Sequence, residues 1–319
     1  MLAKVAAIVE ETPHVKIFDL VSAGGTELPA HTCGAHVSVT VALPDGSRDA
    51  RAYSIVNPPA YRGFYRLAVQ REKAGRGGSA FMHERVRVGD TLEIEGPKNH
   101  FELSKDADEV ILIAGGIGIT PILCMAAQLA LDGRPFRLHY TAREPELMAF
   151  RKEVVGTCGT RASLCCDGGD PSKGLQLREI LGKYRPGVHV YVCGPAGLID
   201  AVLQVTQSCG WPESAVHFEL FSNPLAKQKG DNPVEVFLQH SGITLEVEPG
   251  TSILDAILAA GVDVDHSCKV GECGACLTTV LDGTPLHRDY YLNSRERLEC
   301  TSMCTCVSWA TTERLVLDL

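Results

Sequence analysis

Three thiols stand at C-x4-C-x2-C spacing in the stretch from Asp265 to Cys276, namely Cys268, Cys273 and Cys276, and Cys300, Cys304 and Cys306 follow downstream. Iron–sulfur clusters need soft anionic ligands, which thiolates supply. This spacing with a distant fourth cysteine is that of a plant-type [2Fe–2S] site. Gly271 and Gly274 let the loop fold tightly, so that its amides can point at sulfur. A zinc site more often pairs two C-x2-C units or adds histidines, so the x4-then-x2 pattern fits zinc poorly.

Four other stretches could handle nucleotides. In Arg51-Ala52-Tyr53-Ser54, Arg51 can grip a phosphate. Tyr53 falls on the same face of an extended segment and can pack on a ring, and Ser54 can hydrogen-bond the edge of that ring. Gly77-Gly78-Ser79 precedes a helix expected over residues 79–86, whose first amides suit a phosphate. Gly115, Gly116, Gly118, Thr120 and Pro121 follow an apolar strand and open a helix expected over 122–131. Pro121 stands where the last glycine of G-x-G-x-x-G would be, but glycines after a strand still let a pyrophosphate approach. Cys193-Gly194-Pro195 ends another strand, and ligands in such folds bind beyond the carboxyl ends of strands. Taken singly, each glycine stretch reads equally well as a tight turn.

The elements that position these residues fall into three blocks. Residues 1–103 read as short antiparallel strands, at 15–20, 37–43, 66–70 and 91–95, with a hairpin turn at Pro44-Asp45-Gly46, and suggest a small barrel. From 104 to 225 the pattern changes to apolar strands, at 109–114, 136–140, 161–165 and 189–193, alternating with helices. This is an α/β parallel-sheet layout. Residues 226–233 are polar with Gly and Pro and read as a linker. Residues 234–319 begin with two strands joined through Ser241-Gly242, then a helix opened by Ser252 and ended by Gly261, then the cysteine loop.

The 319 residues carry a net charge of −9, concentrated at the C-terminal end: residues 226–319 hold 14 Asp/Glu against 7 Lys/Arg, and the rest 25 against 23. The balance argues against nucleic-acid binding, and the acidic C-terminal end reads equally well as a docking face for a basic partner or as a merely soluble surface. The N-terminal apolar run is too short for a signal peptide or membrane span, so a reducing cytoplasm is the expected setting, with no membrane attachment. Thirteen cysteines there imply ligation and buried thiols, not disulfides. Cys33, Cys124, Cys158, Cys165, Cys166 and Cys209 read as small core hydrophobes.

The first two nucleotide motifs resemble the ferredoxin–NADP reductase superfamily, whose flavin domain carries R-x-Y-S and a downstream G-x-x-S-type loop. That superfamily also has a G-G-x-G-x-T-P loop and a C-G-P turn near the nicotinamide. The order of all three blocks resembles the phthalate dioxygenase reductase family, which includes vanillate demethylase reductases. Further matches are Gly96 to Phe101, His287-Arg288-Asp289 and the tail from Cys306 to Leu319. The resemblance implies an antiparallel β-barrel flavin domain, an α/β nicotinamide domain and an α+β β-grasp ferredoxin domain. It implies FMN, NADH and a [2Fe–2S] cluster, with electrons passing to a Rieske-type terminal oxygenase. It places Ala52, Ala68 and Val69 at the flavin as well, Phe221 over its ring in preference to Phe218, and Ser54, Cys193 and Phe221 nearest the reacting atoms. For the fourth ligand it favours Cys306, because Cys-Val-Ser-Trp-Ala matches the family's C-V-S-R-A. Cys304, two residues upstream, would then face the same way on an extended strand. The chain departs from the family pattern at Trp309, where Arg is usual, and at Gln70, where Lys is common. These changes are expected to reshape the partner surface and the flavin site.

NADH delivers two electrons together and a cluster takes one, so a flavin between them is the expected bridge. A monomer is expected. The competing readings are a redox-sensing iron–sulfur regulator, which leaves two nucleotide motifs unexplained, and a stand-alone flavin reductase, which leaves the ferredoxin block without a purpose.

Overall fold

The computed structural model describes residues 1–72, 75–222 and 230–319. The chain forms two compact units, residues 1–219 and 220–319. The boundary expected near residue 103 therefore lies inside one unit. Of the expected linker, residues 226–229 lie outside the described residues.

The first unit opens with β1 (Leu2–Thr12), β2 (Val15–Ser22), β3 (His36–Ala42), β4 (Arg48–Ser54), β5 (Tyr65–Gln70), α1 (Gly78–Glu84) and β6 (Thr91–Lys98). Their sheet is antiparallel in the order β4-β3-β6-β1-β2-β5. An Ile55–Leu67 bridge joins its two ends, and the Val56 amide donates to the Arg66 carbonyl at 2.8 Å. Sheet closure removes exposed edges, the usual solution for a small antiparallel barrel. Alternation puts Val37, Val39 and Val41 of β3 in the core, all fully buried.

The same unit continues with β7 (Glu109–Gly115), α2 (Ile119–Leu131), β8 (Phe136–Ala142), α3 (Arg151–Cys158), β9 (Ala162–Cys166), α4 (Leu177–Leu181), β10 (Val188–Cys193), α5 (Ala196–Ser208) and β11 (Val216–Glu219). All pairings are parallel, in the order β11-β10-β7-β8-β9. β7 is buried from Val110 to Gly115, as a strand covered on both faces must be. The order reverses between β7 and β10, and that switch point opens the crevice where such sheets take ligands. The helices expected over 79–86 and 122–131 begin earlier, at Gly78 and Ile119.

The second unit holds β12 (Val234–Leu238), β13 (Ile243–Val247), α6 (Ile253–Ala259), β14 (Leu277–Asp282), β15 (Pro285–Leu286), α7 (Ser294–Glu299), β16 (Ser302–Cys304), β17 (Trp309–Ala310) and β18 (Arg314–Leu317). The sheet order is β13-β12-β18-β14-β16, with β12 and β18 parallel, and α6 packs on it as in a β-grasp. Ser252 caps α6 by accepting from the Asp255 amide at 3.0 Å. Among the described residues no helix is long and apolar enough to cross a membrane.

Three expectations need correction. Cys166 is exposed, and Cys165 and Cys209 are half-buried, so only Cys33, Cys124 and Cys158 of the six are core thiols; β9 is an edge strand and its tip faces water. Trp309 is 3 % exposed, so it belongs to the core of its unit and not to a partner surface. Its indole N–H donates to the Asn232 carbonyl at 3.0 Å. Cys306 does not continue an extended strand from Cys304, because the chain turns there: the amides of Val307 and Ser308 donate to the Cys304 carbonyl at 3.2 and 3.0 Å.

Candidate functional site

At the barrel, β4 alternates so that Asp49, Arg51 and Tyr53 share the more buried face, and Ser54 ends the strand at 5 % exposure. The Ser54 hydroxyl is buried and has no hydrogen-bond partner among the described residues. An orphaned hydroxyl costs free energy unless something completes it, and a ring edge with acceptors would do so. Arg51 pairs with Asp49 and lies across Gly78, where a side chain would come within 2.7 Å of the Arg51 Nε. Gly77 has φ +98°, and a Cβ there would meet the Pro44 ring at 2.5 Å. Both glycines thus serve a close approach of backbone to Arg51 and the hairpin. The Ser79 hydroxyl accepts from the Glu72 amide at 2.9 Å. Burial pushes the Tyr53 hydroxyl up to about 12, so it stays protonated. Ala68 and Val69 are buried in β5, and Ala52 is exposed on β4. Gln70 turns its amide to Glu72 at 3.3 Å. The residues present fit a flavin: a cation, a glycine-rich backbone and an uncompleted hydroxyl beside buried strand ends.

At the switch point, Gly115 to Pro121 and Cys193 to Pro195 come together. Cys193 pairs in register with Ala114. A Cβ on Gly194 would lie 3.0 Å from the Gly115 backbone, and one on Gly118 would lie 2.6 Å from the Gly194 amide nitrogen and closer still to the Cys193 carbonyl. The two loops, whose first residues Gly115 and Cys193 are 78 positions apart in the chain, approach backbone to backbone at Gly118 and Gly194, with Pro195 and Leu198 packed against Gly115. Thr120 is buried and donates to the Ile117 carbonyl at 3.0 Å, and Pro121 is buried beside it. Phe221 lies in the second unit and is 43 % exposed.

In the cysteine loop the thiols fall into two sets. Cys268 and Cys273 lie close enough to interact. Cys276 is within hydrogen-bond reach of both Cys304 and Cys306. Their S–H groups hold Cys276 down to about 3, and donation from Cys268 holds Cys273 down to about 6. The donors Cys268, Cys304 and Cys306 are pushed up in turn, first by these bonds and then by burial. The amides of Val270 and Glu272 aim at the Cys268 sulfur, at 3.5 and 3.4 Å. Among the described residues no three His, Cys, Asp or Glu side chains form a cage for a single ion. Two thiol sets suit two irons that each take two thiolates, and the donor set fits a [2Fe–2S] cluster. Cys300 points elsewhere, donating to the Arg297 carbonyl at 3.3 Å.

The packing behind this loop was not foreseen. Gly271 has φ +81°, and a Cβ there would meet Val307 at 2.6 Å. Gly274 lies flat against the Tyr291 ring, which leaves no room for a side chain. The Asp289 carboxylate, buried at 2 % exposure, accepts from the Leu292 amide at 2.8 Å and from the Ser308 hydroxyl at 3.1 Å. Burial pushes the Glu272 carboxyl up to about 8, and it accepts from the Leu220 amide at 3.1 Å. The run His287-Arg288-Asp289 was the available signal for this shell.

Comparison with known proteins follows the same division. Residues 3–103 match the oxidoreductase FAD-binding domain. Residues 97–216 match the N-terminal domain of dimethylamine monooxygenase subunit DmmA-like proteins, and residues 236–311 match the 2Fe-2S iron-sulfur cluster binding domain. Phthalate dioxygenase reductase of Burkholderia cepacia is 40 % identical over 304 residues, 95 % of this chain and 92 % of the relative. The chain belongs to the phthalate dioxygenase reductase family. A vanillate O-demethylase oxidoreductase of Pseudomonas sp. (strain HR199 / DSM 7063) is 38 % identical, covering 94 % of each chain. The solved phthalate dioxygenase reductase, described as a modular structure for electron transfer from pyridine nucleotides to [2Fe–2S], superposes with a TM-score of 0.80 at 39 % identity, over 100 % of this chain and 98 % of its own. A phthalate dioxygenase reductase family member therefore has the antiparallel flavin sheet, the parallel nicotinamide sheet and the ferredoxin fold seen here.

Proposed function

We propose that this chain is the reductase component of an oxygenase system, oxidising NADH through FMN and passing single electrons through a [2Fe–2S] cluster to a Rieske-type oxygenase. The carrying observation is one chain that holds, in order, a flavin-type barrel, two glycine loops meeting at the switch point of a parallel sheet, and a thiol-rich loop. Its functional blocks are residues 1–103, 104–225 and 234–319, with 226–233 as linker. It works as a cytoplasmic monomer.

When bound, the flavin takes the nicotinamide's electron pair and the cluster relays electrons singly. The protein's task is positioning. Arg51 and the amides of Gly77, Gly78 and Ser79 hold the phosphate, with Asp49 yielding its pairing to Arg51. Ser54 donates its unpartnered hydroxyl to the ring, and Tyr53, Ala52, Ala68 and Val69 line it. Gly115, Gly116, Gly118, Thr120 and Pro121 take the pyrophosphate, and Cys193, Gly194 and Pro195 border the nicotinamide. Phe221 covers the flavin and yields when nicotinamide enters. Cys268, Cys273, Cys276 and Cys306 ligate the cluster.

Purified protein with NADH is expected to reduce cytochrome c continuously without added flavin. A redox sensor gives no steady turnover, and a free-flavin reductase needs added flavin. Acid-released flavin should run as FMN on chromatography, and full FAD occupancy or a higher kcat/KM with NADPH overturns the cofactor choice.

The acidic ferredoxin block is expected to meet a basic face of the oxygenase. Such steering is screened over a Debye length of about 8 Å at physiological salt. Coupled turnover should fall with salt more steeply than NADH–ferricyanide activity, and equal slopes count against the docking model.

A further inference from the structure

The peptide unit between Ala149 and Phe150 is held at both of its polar atoms. Its N–H donates to the Glu11 carboxylate at 2.7 Å, and its carbonyl accepts from the Tyr140 hydroxyl at 3.1 Å. The same hydroxyl reaches the Gly116 carbonyl, also at 3.1 Å. Tyr140 is fully buried in β8, and burial pushes its hydroxyl up, so it stays protonated and serves as a donor. One chain of hydrogen bonds therefore runs from β1, through the residues that open α3, to the glycine loop after β7.

Local structure along this chain is shaped to it. In the β1–β2 ladder Glu10 faces Lys16 and Thr12 faces Val15, so Glu11 is an extra residue in the pairing. A bulge re-aims the side chain it carries, and here it turns Glu11 towards a partner 139 positions away. Phe150 is buried with φ +57°. That conformation is costly for a bulky residue and persists only where the surroundings over-determine it. α3 has no side-chain cap of its own, so Glu11 supplies the fastening. At the other end Gly116 has φ +53°, and its carbonyl also accepts from the Ile119 amide at the start of α2.

We propose that Tyr140 and Glu11 are positioning residues that fasten the glycine loop to β1 of the flavin barrel and thereby set the affinity for NADH. This rests on the loop from Gly115 to Pro121 holding the NADH pyrophosphate, as in the function proposed above. Neither side chain touches the dinucleotide; each acts through the backbone it holds. A pyrophosphate contact is the same before and during hydride transfer, so its loss should appear in KM and not in kcat.

The test uses the full-length protein with its flavin and cluster, and NADH–ferricyanide kinetics. Tyr140→Phe and Glu11→Ala should each raise KM for NADH about 10-fold, the worth of one hydrogen bond, with kcat within about twofold of wild type. Glu11→Gln keeps an oxygen that accepts from the Phe150 N–H and should return most of the way. Combining Tyr140→Phe with Glu11→Ala should cost little more than either alone, because either change already breaks the chain, whereas independent sites would multiply to about 100-fold. A wild-type KM in Tyr140→Phe overturns the proposal, as does a multiplicative double variant, or a loss confined to kcat and accompanied by loss of flavin. Gly118→Ala reads the loop itself: slow NADH turnover there beside normal Tyr140→Phe sinks this proposal alone, whereas normal kinetics in both sink the assignment of the loop.

Discussion

Gly118→Ala is expected to lower kcat/KM for NADH about 100-fold, equivalent to about 2.7 kcal/mol in the barrier. The backbone angle is not the cause, since Gly118 has φ −61°, which any residue adopts. The cause is space. Its added methyl would lie 2.6 Å from the Gly194 nitrogen and closer to the Cys193 carbonyl. Those are backbone atoms at the end of a parallel strand and cannot swing aside. The loops must part, and a displacement of about 1 Å at a reacting pair can cost on the order of 100-fold. Gly116→Ala is the control. It has φ +53° but open space around it, so it carries only backbone strain of about 1–2 kcal/mol. The measurement is NADH–ferricyanide kinetics beside flavin content and dithionite reduction of the cluster, both of which should be normal. Wild-type kcat/KM in Gly118→Ala means that the two loops do not border the nicotinamide.

Arg288→Ala is expected to destabilise the ferredoxin unit by about 3–5 kcal/mol, the usual cost of stranding one member of a buried pair. Arg288 and Asp231 meet in a two-pronged pair, with Nη1 donating to Asp231 Oδ2 at 2.8 Å and Nη2 to Oδ1. Their side chains are only 6 and 7 % exposed. Beside them the Trp309 indole holds the Asn232 carbonyl, so the segment entering β12 is fastened twice. For a unit of this size each kcal/mol shifts Tm by roughly 4–8 °C, so a fall of more than about 12 °C is expected. A melt followed through the cluster's visible circular dichroism reads it. The double change Arg288→Met with Asp231→Leu should recover much of the loss, because it removes both charges. A single-variant cost below about 1 kcal/mol would show that water reaches Asp231.

Much of this protein was legible in short stretches of its chain. The C-x4-C-x2-C spacing, the period-2 runs of the barrel, the apolar β7 and the glycines after it depend on neighbours within about ten residues, and local pattern is what a sequence displays directly. The helix starts were misplaced by one to three residues, because both helices follow a glycine with no side-chain cap, so no capping residue marked them in the sequence.

What needed the tertiary structure was every contact made across long stretches of chain. Trp309 looked like a surface change because it stands where the family resemblance puts an Arg. Its burial follows from the return of residues 231–232 to β17, a pairing 77 positions apart. Arg288 and Asp231, 57 positions apart, carry no shared local signal either. The same holds at the cluster. Local spacing named Cys268, Cys273 and Cys276, and the tail match named Cys306. The sequence also set Cys304 beside Cys306, but on an extended strand; the β14–β16 ladder ends at Cys304 and a turn follows, since side-chain direction at a turn is set by the hydrogen bonds that close it and not by alternation.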